Sequence, residues 1–407
     1  MSTRTLYLVD GYDDGHHQTH HRNYARAALD MGYRVVELLP DPDPLCQWLK
    51  AQRPDAISRL RLHRFTHPQP TSPSWRLRNV IKPAKTWRAA AAAVAQAEAQ
   101  TGWKPDLVFF NWLDSFIVGV SPVLPPVLPV LFPYRWSGVF FHPWHLRIPD
   151  GPTRGESVAA ERMLRVRGCP GVAVLDGGIA QALEANIGKP VVTIPDETDP
   201  DMPDVPSALA QQAKAAAGGR RIIGLMGVLS KRKGVSSLLA AALQARDRPW
   251  FFVFAGVLDE GLRATYNAEE LAVIDAAIGG AYPNVWFHPS RIADEREFNA
   301  IVQACDVLFA AYELFAHSSG IVTKAGIFEK PVIVSPGYCM AEVVQDYRLG
   351  LATDPHDPAQ VLQAIELVLD REAFARRIGQ PDYARFQRDY ASEALGSAFG
   401  RILDLCR

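Results

Sequence analysis

The sequence predicts an α/β protein built from two Rossmann-like, doubly wound domains that face each other across a cleft. Three observations predict it. Short β-branched or aromatic runs alternate with alanine-rich helical stretches. The alternation stops at an acidic, proline-bearing segment, Pro195–Pro206, and then begins again. The chain has 407 residues, 48% apolar and 21% charged, which is enough for two sizeable cores and sets aside low-complexity disorder and coiled coil.

In the first half the β-rich runs are Thr5–Val9, Arg34–Leu39, Leu107–Asn111 and Gly138–His142, followed by the shorter Val172–Leu175 and Val191–Ile194. Helices are expected at His20–Met31, Pro44–Gln52 and Thr86–Thr101. After the linker come strands at Arg221–Met226, Trp250–Ala255, Val285–His288, Asp306–Ala310 and Pro331–Ser335. The intervening helices are expected at Ser236–Gln244, Asn267–Ala277, Asp294–Ala304, Ile321–Phe328 and Pro358–Asp370. The expected domains are residues 1–200 and 201–385, with residues 386–407 forming a tail helix that crosses back to the first domain through Phe386, Tyr390, Leu395, Phe399 and Ile402.

Charge and special residues narrow the function. With 43 Lys and Arg against 44 Asp and Glu, no bulk charge recommends nucleic acid as a partner. The five cysteines share no metal-ligand spacing, which predicts reduced core thiols in a cytoplasmic protein. No export segment is expected at the start. The charge-free stretch Phe116–Pro133 carries five prolines, which suit a buried or groove-lining loop and not a membrane helix. The segment Lys50–Arg88 holds ten Lys or Arg against Asp55 alone, with Phe65, Trp75 and Trp87 interleaved. It predicts peripheral contact with an anionic membrane, on the cytoplasmic face, or a hold on an anionic acceptor.

Three places are suited to ligand chemistry. Gly227–Gly234 encloses Lys231, Arg232 and Lys233 between a strand and a helix; glycines let the backbone approach a ligand, and the cations suit phosphate oxygens. Ser319 and Gly320 stand where a helix should start after the strand Asp306–Ala310, and free amides at such a terminus accept an anion. In the first domain, Gly11 to Gly15 and then His16, His17, His20 and His21 follow the first strand; a glycine loop presenting imidazoles to hydroxyl groups on the acceptor side is favoured over a metal site, and no metal or organic cofactor is expected. His142 ends a strand and precedes Pro143, which predicts an extended residue projecting from the strand end.

On these residues the chain resembles the GT-B glycosyltransferases, most of all the family-four group of retaining nucleotide-sugar transferases. Gly227–Gly234, Ala304–Phe309, Ser319–Ala325 running on to Lys330–Val334, and the weaker Gly337–Gly350 carry the resemblance. It implies a metal-independent, hexosyltransferase-like enzyme of glycan or glycolipid biosynthesis. A nucleoside-diphosphate sugar would be the donor, and a carbohydrate, lipid-linked or small-molecule hydroxyl the acceptor. It further implies that Arg232 and Lys233, with Ser319 and Gly320, hold the donor diphosphate, and that His142 acts catalytically beside the transferred sugar. Gly227, Glu313 and Lys324 would belong to the nucleotide region. The family's two glutamates fall on Ala316 and Lys324, with Glu313 close enough to replace the first; Lys324 then contacts a phosphate or a carboxylated sugar, or faces solvent. A nucleotide-sugar epimerase or phosphorylase, and a non-catalytic binding subunit, are the alternative readings.

Overall fold

The computed structural model describes residues 4–12, 16–68, 78–151 and 154–405. The chain forms two compact units, Met1–Glu197 with Tyr390–Arg407, and Thr198–Asp389.

The N-terminal unit carries a five-stranded sheet: β1 (Thr5–Val9), β2 (Arg34–Leu39), β3 (Leu60–Arg64), β4 (Leu107–Phe110) and β5 (Trp136–Gly138), in the order β3-β2-β1-β4-β5. All its pairings are parallel, with Val9 opposite Leu38 on one side and Phe110 on the other. A two-stranded parallel sheet, β6 (Val172–Val174) with β7 (Val191–Thr193), continues it through a bridge from Val139 to Ala173. Alternate residues of β1 serve opposite faces. Tyr7 and Val9 pack with Trp87 and Phe110 on one side; Leu6 and Leu8 pack with Tyr24 and Phe109 on the other. Burial on both faces explains why these strands read as continuous apolar runs.

The tail helix Ser392–Asp404 closes the second of these faces. It buries Leu395, Ala398, Phe399, Ile402 and Leu403, and Phe399 meets Phe109 and Tyr24 edge-on at 5.0 and 5.2 Å. Burying each of the four larger side chains contributes roughly 1.5–3 kcal/mol, and together they hold the helix in place.

The second unit repeats the plan with six parallel strands: β8 (Arg221–Val228), β9 (Trp250–Val257), β10 (Val285–His288), β11 (Val307–Ala310), β12 (Val332–Val334) and β13 (Gly350–Ala352), in the order β10-β9-β8-β11-β12-β13. Sequential strands move outward from β8 on one side and from β11 on the other, so the strand order reverses between β8 and β11. Ligands of open α/β sheets bind at such a switch point, outside the carboxyl ends of the strands.

Several elements depart from the sequence expectation. β3 and β13 were not expected, nor was the helix Ala208–Ala217. The expected strand Gly138–His142 is only Trp136–Gly138, so His142 stands in the loop beyond it. The first helix starts at His16 instead of His20, and the expected Thr86–Thr101 helix starts at Arg78 and contains Pro83. In the proline-rich stretch, Leu124, Leu128 and Phe132 are buried, while Val123, Val127 and Val130 are exposed. No helix among the described residues is long and apolar enough to cross a membrane.

Candidate functional site

In the second unit the chain leaves β8 through Gly227, at φ +99°, and makes a single 3-10 turn, Lys231–Lys233, before the helix Val235–Gln244. Gly234 joins turn to helix at φ +79°, and a β-carbon there would sit 2.8 Å from the carbonyl oxygen of Ala311. A side chain is excluded on both counts. The turn can therefore lie directly against the end of β11, where the amide of Glu313 donates to the carbonyl of Arg232 at 2.7 Å.

The three cations of the turn are used differently. Lys231 Nζ donates to Glu270 Oε2 at 2.8 Å. Burial would raise the Glu270 carboxyl, but hydrogen bonds from Lys231, the Asn267 amide and Ser236 hold it below its ordinary value. Arg232 and Lys233 have no carboxylate partner among the described residues. The Arg232 guanidinium lies over Phe315 at 4.6 Å and Tyr312 at 5.9 Å; Lys233 Nζ lies 5.3 Å from the Tyr312 ring. Arg232 is exposed overall, yet those rings strip enough water from it to lower its pKa. A β-carbon on Gly227 would come within 3.1 Å of Lys233 Nζ, so the bare glycine makes room for that ammonium.

Tyr312 also connects the turn to the second expected anion site. Its hydroxyl accepts a long hydrogen bond of 3.5 Å from Ser319 Oγ. Ser319 is the N-cap residue of the helix Gly320–Ile327, but its hydroxyl makes no capping bond. The amides of that first turn are thus left without a side-chain acceptor, at the positive end of the helix. Arg232, Lys233, Ser319 and Gly320 consequently gather around one aromatic ring at the β8–β11 switch point. Glu313 is half-buried beside them.

Lys324 does not belong to this group. It is 5% exposed, and its ammonium meets Glu295 Oε1 at 2.5 Å, Asn299 Oδ1 at 2.5 Å and Thr198 Oγ1 at 3.0 Å. Two of its N–H donors are hydrogen-bonded, to Asn299 and Thr198, and its charge is paired with Glu295. The expectations of a phosphate or sugar contact, or of a solvent-facing lysine, are both corrected: Lys324 ties the helix Gly320–Ile327 to the helix Glu295–Ala304. Ala316 is fully buried.

In the N-terminal unit the corresponding residues gather at the carboxyl ends of β1, β4 and β5. Gly11 follows β1 so closely against His67 that no side chain fits. Gly15 lies outside the described residues, as does the side chain of His16. His17 Nδ1 lies 2.6 Å from Oδ2 of the buried Asp10. His21 meets Glu37 at 2.8 Å, with both groups almost fully enclosed. Burial opposes charge on His21, but Glu37 outweighs it and raises the imidazole; burial raises the Glu37 carboxyl too. Burial lowers His67 to about 4. Among the described residues no group of three or more His, Cys, Asp or Glu is arranged to hold a metal.

His142 is held by Asp114, whose Oδ1 accepts from the His142 amide at 2.9 Å and faces its Nδ1 at 2.8 Å. The other oxygen of Asp114 accepts from the Phe141 amide. The partly exposed Trp112 lies between the two histidines, 4.5 Å from the His17 ring and 5.6 Å from the His142 ring, and stacks on Phe141 at 4.0 Å. Sequence reading missed Asp10, Asp114, Trp112 and Tyr312. Asp10 had a usable signal, a lone acid directly after an apolar strand; the others are recognisable only by their neighbours in space.

Much of the basic segment is used within the unit. Arg53 pairs with Asp30 and Asp55, and Arg59 donates to the carbonyls of Leu29 and Tyr33. Arg61 lies over Trp103, and Arg64 is near Asp41 and Asp43. Lys82, Lys85 and Arg88 are exposed on the helix Arg78–Thr101, while Trp75 and Arg76 lie outside the described residues.

Residues 208–385, nearly all of the second unit, match the family model described as glycosyl transferases group 1. No curated protein sequence matches the chain. Among solved structures, HepE from Anabaena, in complex with UDP and glucose, aligns with a TM-score of 0.68 at 16% identity over 99% of this chain and 100% of that one. Sucrose-phosphate synthase from Thermosynechococcus elongatus aligns with a TM-score of 0.66 at 18% identity, covering 99% and 98%. A glycosyltransferase from Rickettsia africae aligns with a TM-score of 0.69 at 12% identity, covering 100% and 99%. The chain therefore has the GT-B glycosyltransferase fold, two Rossmann-like units of which the second matches the group 1 glycosyl transferase model over residues 208–385.

Proposed function

We propose that the chain transfers a sugar from a nucleoside-diphosphate sugar to an acceptor hydroxyl, with the second unit binding the donor and the first the acceptor. One observation carries this reading: two neighbouring cations, Arg232 and Lys233, have no carboxylate partner among the described residues and share Tyr312 with a helix terminus whose hydroxyl does not cap it. Such a group is suited to a diphosphate, whose charge grows as the glycosidic bond breaks, and it supplies that stabilisation electrostatically and without a metal. The HepE structure, which holds UDP and glucose, supports the same donor class. The resemblance to the family-four group favours retention of configuration, a hexosyl group and a place in glycan or glycolipid synthesis. It also favours His142, oriented by Asp114, as the residue beside the transferred sugar.

Peripheral contact of the first unit with anionic lipid belongs to this proposal, through the exposed Lys82, Lys85 and Arg88. A second reading, a donor-binding subunit without turnover, is favoured by Lys324, which fills a position where the resemblance expects a carboxylate.

The test is titration calorimetry with UDP, GDP, ADP and dTDP. The Arg232→Ala/Lys233→Ala double variant should bind the preferred diphosphate at least about 100-fold more weakly, two charged hydrogen-bond contacts being worth about 3 kcal/mol or more. Unchanged affinity would remove the donor assignment. Donor consumption by the wild type would then exclude the reading without turnover.

A further inference from the structure

We propose that the proline- and valine-rich ridge of residues 122–133 inserts into the boundary between headgroups and acyl chains of an anionic bilayer; this deepens the lipid contact proposed above and rests on it. Between Asp114 and Arg135 the sequence has no charged residue. Leu124, Leu128 and Phe132 join the core of the N-terminal unit, each at most 2% exposed. The residues between them face water. Val123 is 61% exposed, Val127 47% and Val130 84%, and Pro122, Pro126, Pro129 and Pro133 are exposed beside them. The inward side chains fix the ridge in place, and the outward ones are all apolar, the mark of an interaction site.

The backbone suits a boundary poor in water. Prolines at 122, 125, 126, 129 and 133 have no N–H to satisfy. The amides of Leu124, Val127, Leu128 and Phe132 already donate to carbonyls of Ser121, Leu124 and Leu128 within the same stretch, at 2.8–3.1 Å. Few backbone donors therefore have to be stripped of water when the valines enter lipid.

Charge selects lipid over other occupants. The ridge packs on the helix Arg78–Thr101 through Trp87, whose indole donates to the Phe116 carbonyl at 3.1 Å and meets the Phe132 ring at 5.2 Å. Lys82, Lys85 and Arg88 are exposed on that helix, about 100–220° around it from the buried Trp87. An apolar ridge with cations on the adjoining helix matches the acyl boundary and phosphate layer of an anionic leaflet. A partner that reads polyproline does not fit: Leu124, Val127 and Leu128 have helical backbone angles, and both leucines are buried. The outward side chains present roughly a few hundred Å², small against the ~800 Å² per partner of a stable dimer.

The test is flotation of the full chain with vesicles of mixed phosphatidylglycerol and phosphatidylcholine across a salt series. Wild type should float and be released as salt rises. Taking three valines of these exposures out of water favours the bound state by about 100-fold, so Val123→Ser/Val127→Ser/Val130→Ser should partition about 100-fold more weakly. Its remaining binding should keep the wild-type salt slope, because the cations are intact. Val130→Phe should bind about fivefold more tightly, a gain that misfolding cannot produce. A triple variant that floats like wild type, or a Val130→Phe variant that binds no tighter, would overturn the insertion and leave the contact through Lys82, Lys85 and Arg88 standing. Wild type that does not float would remove that contact and the insertion with it. Sedimentation velocity reads the other occupant: self-association of wild type that the triple variant loses, at equal flotation, would give the ridge to a second copy instead.

Discussion

Replacing Lys324 with methionine keeps most of the side chain's volume and removes one ammonium from an enclosed site. Glu295, Asn299 and Thr198 all lose a donor, and Asn299 is fully buried. Removing one partner of a buried ion pair destabilises by about 3–5 kcal/mol. The Glu295 side chain is 29% exposed, so water can reach it, and the lower figure, about 3 kcal/mol, applies. For a unit of about 190 residues, that lowers Tm by roughly 6–12 °C. The double variant Lys324→Met/Glu295→Gln should lose little more than the single one, a coupling of about 2 kcal/mol. Lys324→Glu should lose more than Lys324→Met, because it sets a second carboxylate against Glu295. Urea unfolding followed by fluorescence measures the wild type, the single variants Lys324→Met, Glu295→Gln and Lys324→Glu, and the double variant. If Lys324→Met leaves the midpoint where it was, or the two single losses simply add, the ion pair is not the tie described.

Two more outcomes can be checked. His21 and Glu37 both hold protons more tightly in the folded protein than in the unfolded chain. The stability each contributes is complete below its ordinary value, 4.5 for Glu37 and 6.5 for His21, and is lost as pH rises from there through the raised one. Tm of the wild type should therefore decline over that range, at up to about 1.4 kcal/mol per pH unit for one proton, and Glu37→Gln should flatten the decline; an equally steep variant would contradict the pairing. Flotation with phosphatidylglycerol vesicles tests the lipid contact. Three basic residues near the surface contribute about 3 kcal/mol together, so Lys82→Glu/Lys85→Glu/Arg88→Glu should abolish binding at low salt, and absent or salt-insensitive binding by the wild type would end the idea.

The two-part α/β plan was legible because strands such as Thr5–Val9 and Trp250–Ala255 are buried on both faces and so appear as unbroken apolar runs. β3 was hidden: Leu60–Arg64 is an edge strand, half-exposed and half basic, and charge rather than periodicity dominates its appearance. β13 failed for a related reason, a three-residue edge strand opening on Gly350, which passes so close to Val332 that no side chain is admitted. At the candidate site, Arg232 and Lys233 could be picked out because glycine, cations and helix follow one another in sequence. Lys324 was misread because its surroundings come from Glu295, Asn299 and Thr198, far away along the chain. The pairing of His17 with Asp10 was not legible either, because only the fold brings the two side chains together.

The tail helix has a consequence for biosynthesis. The N-terminal unit is assembled from two segments far apart in the sequence, with Phe399 and Ile402 filling a face whose remaining partners, such as Leu6 and Phe109, were made before the second unit. On the ribosome, the Thr198–Asp389 portion is complete while that face still lacks its cover. Leu6, Leu8, Phe109 and their neighbours must wait, greasy side outward, until the last turn of helix emerges. A nascent chain stalled near residue 390 is therefore the form most in need of a chaperone.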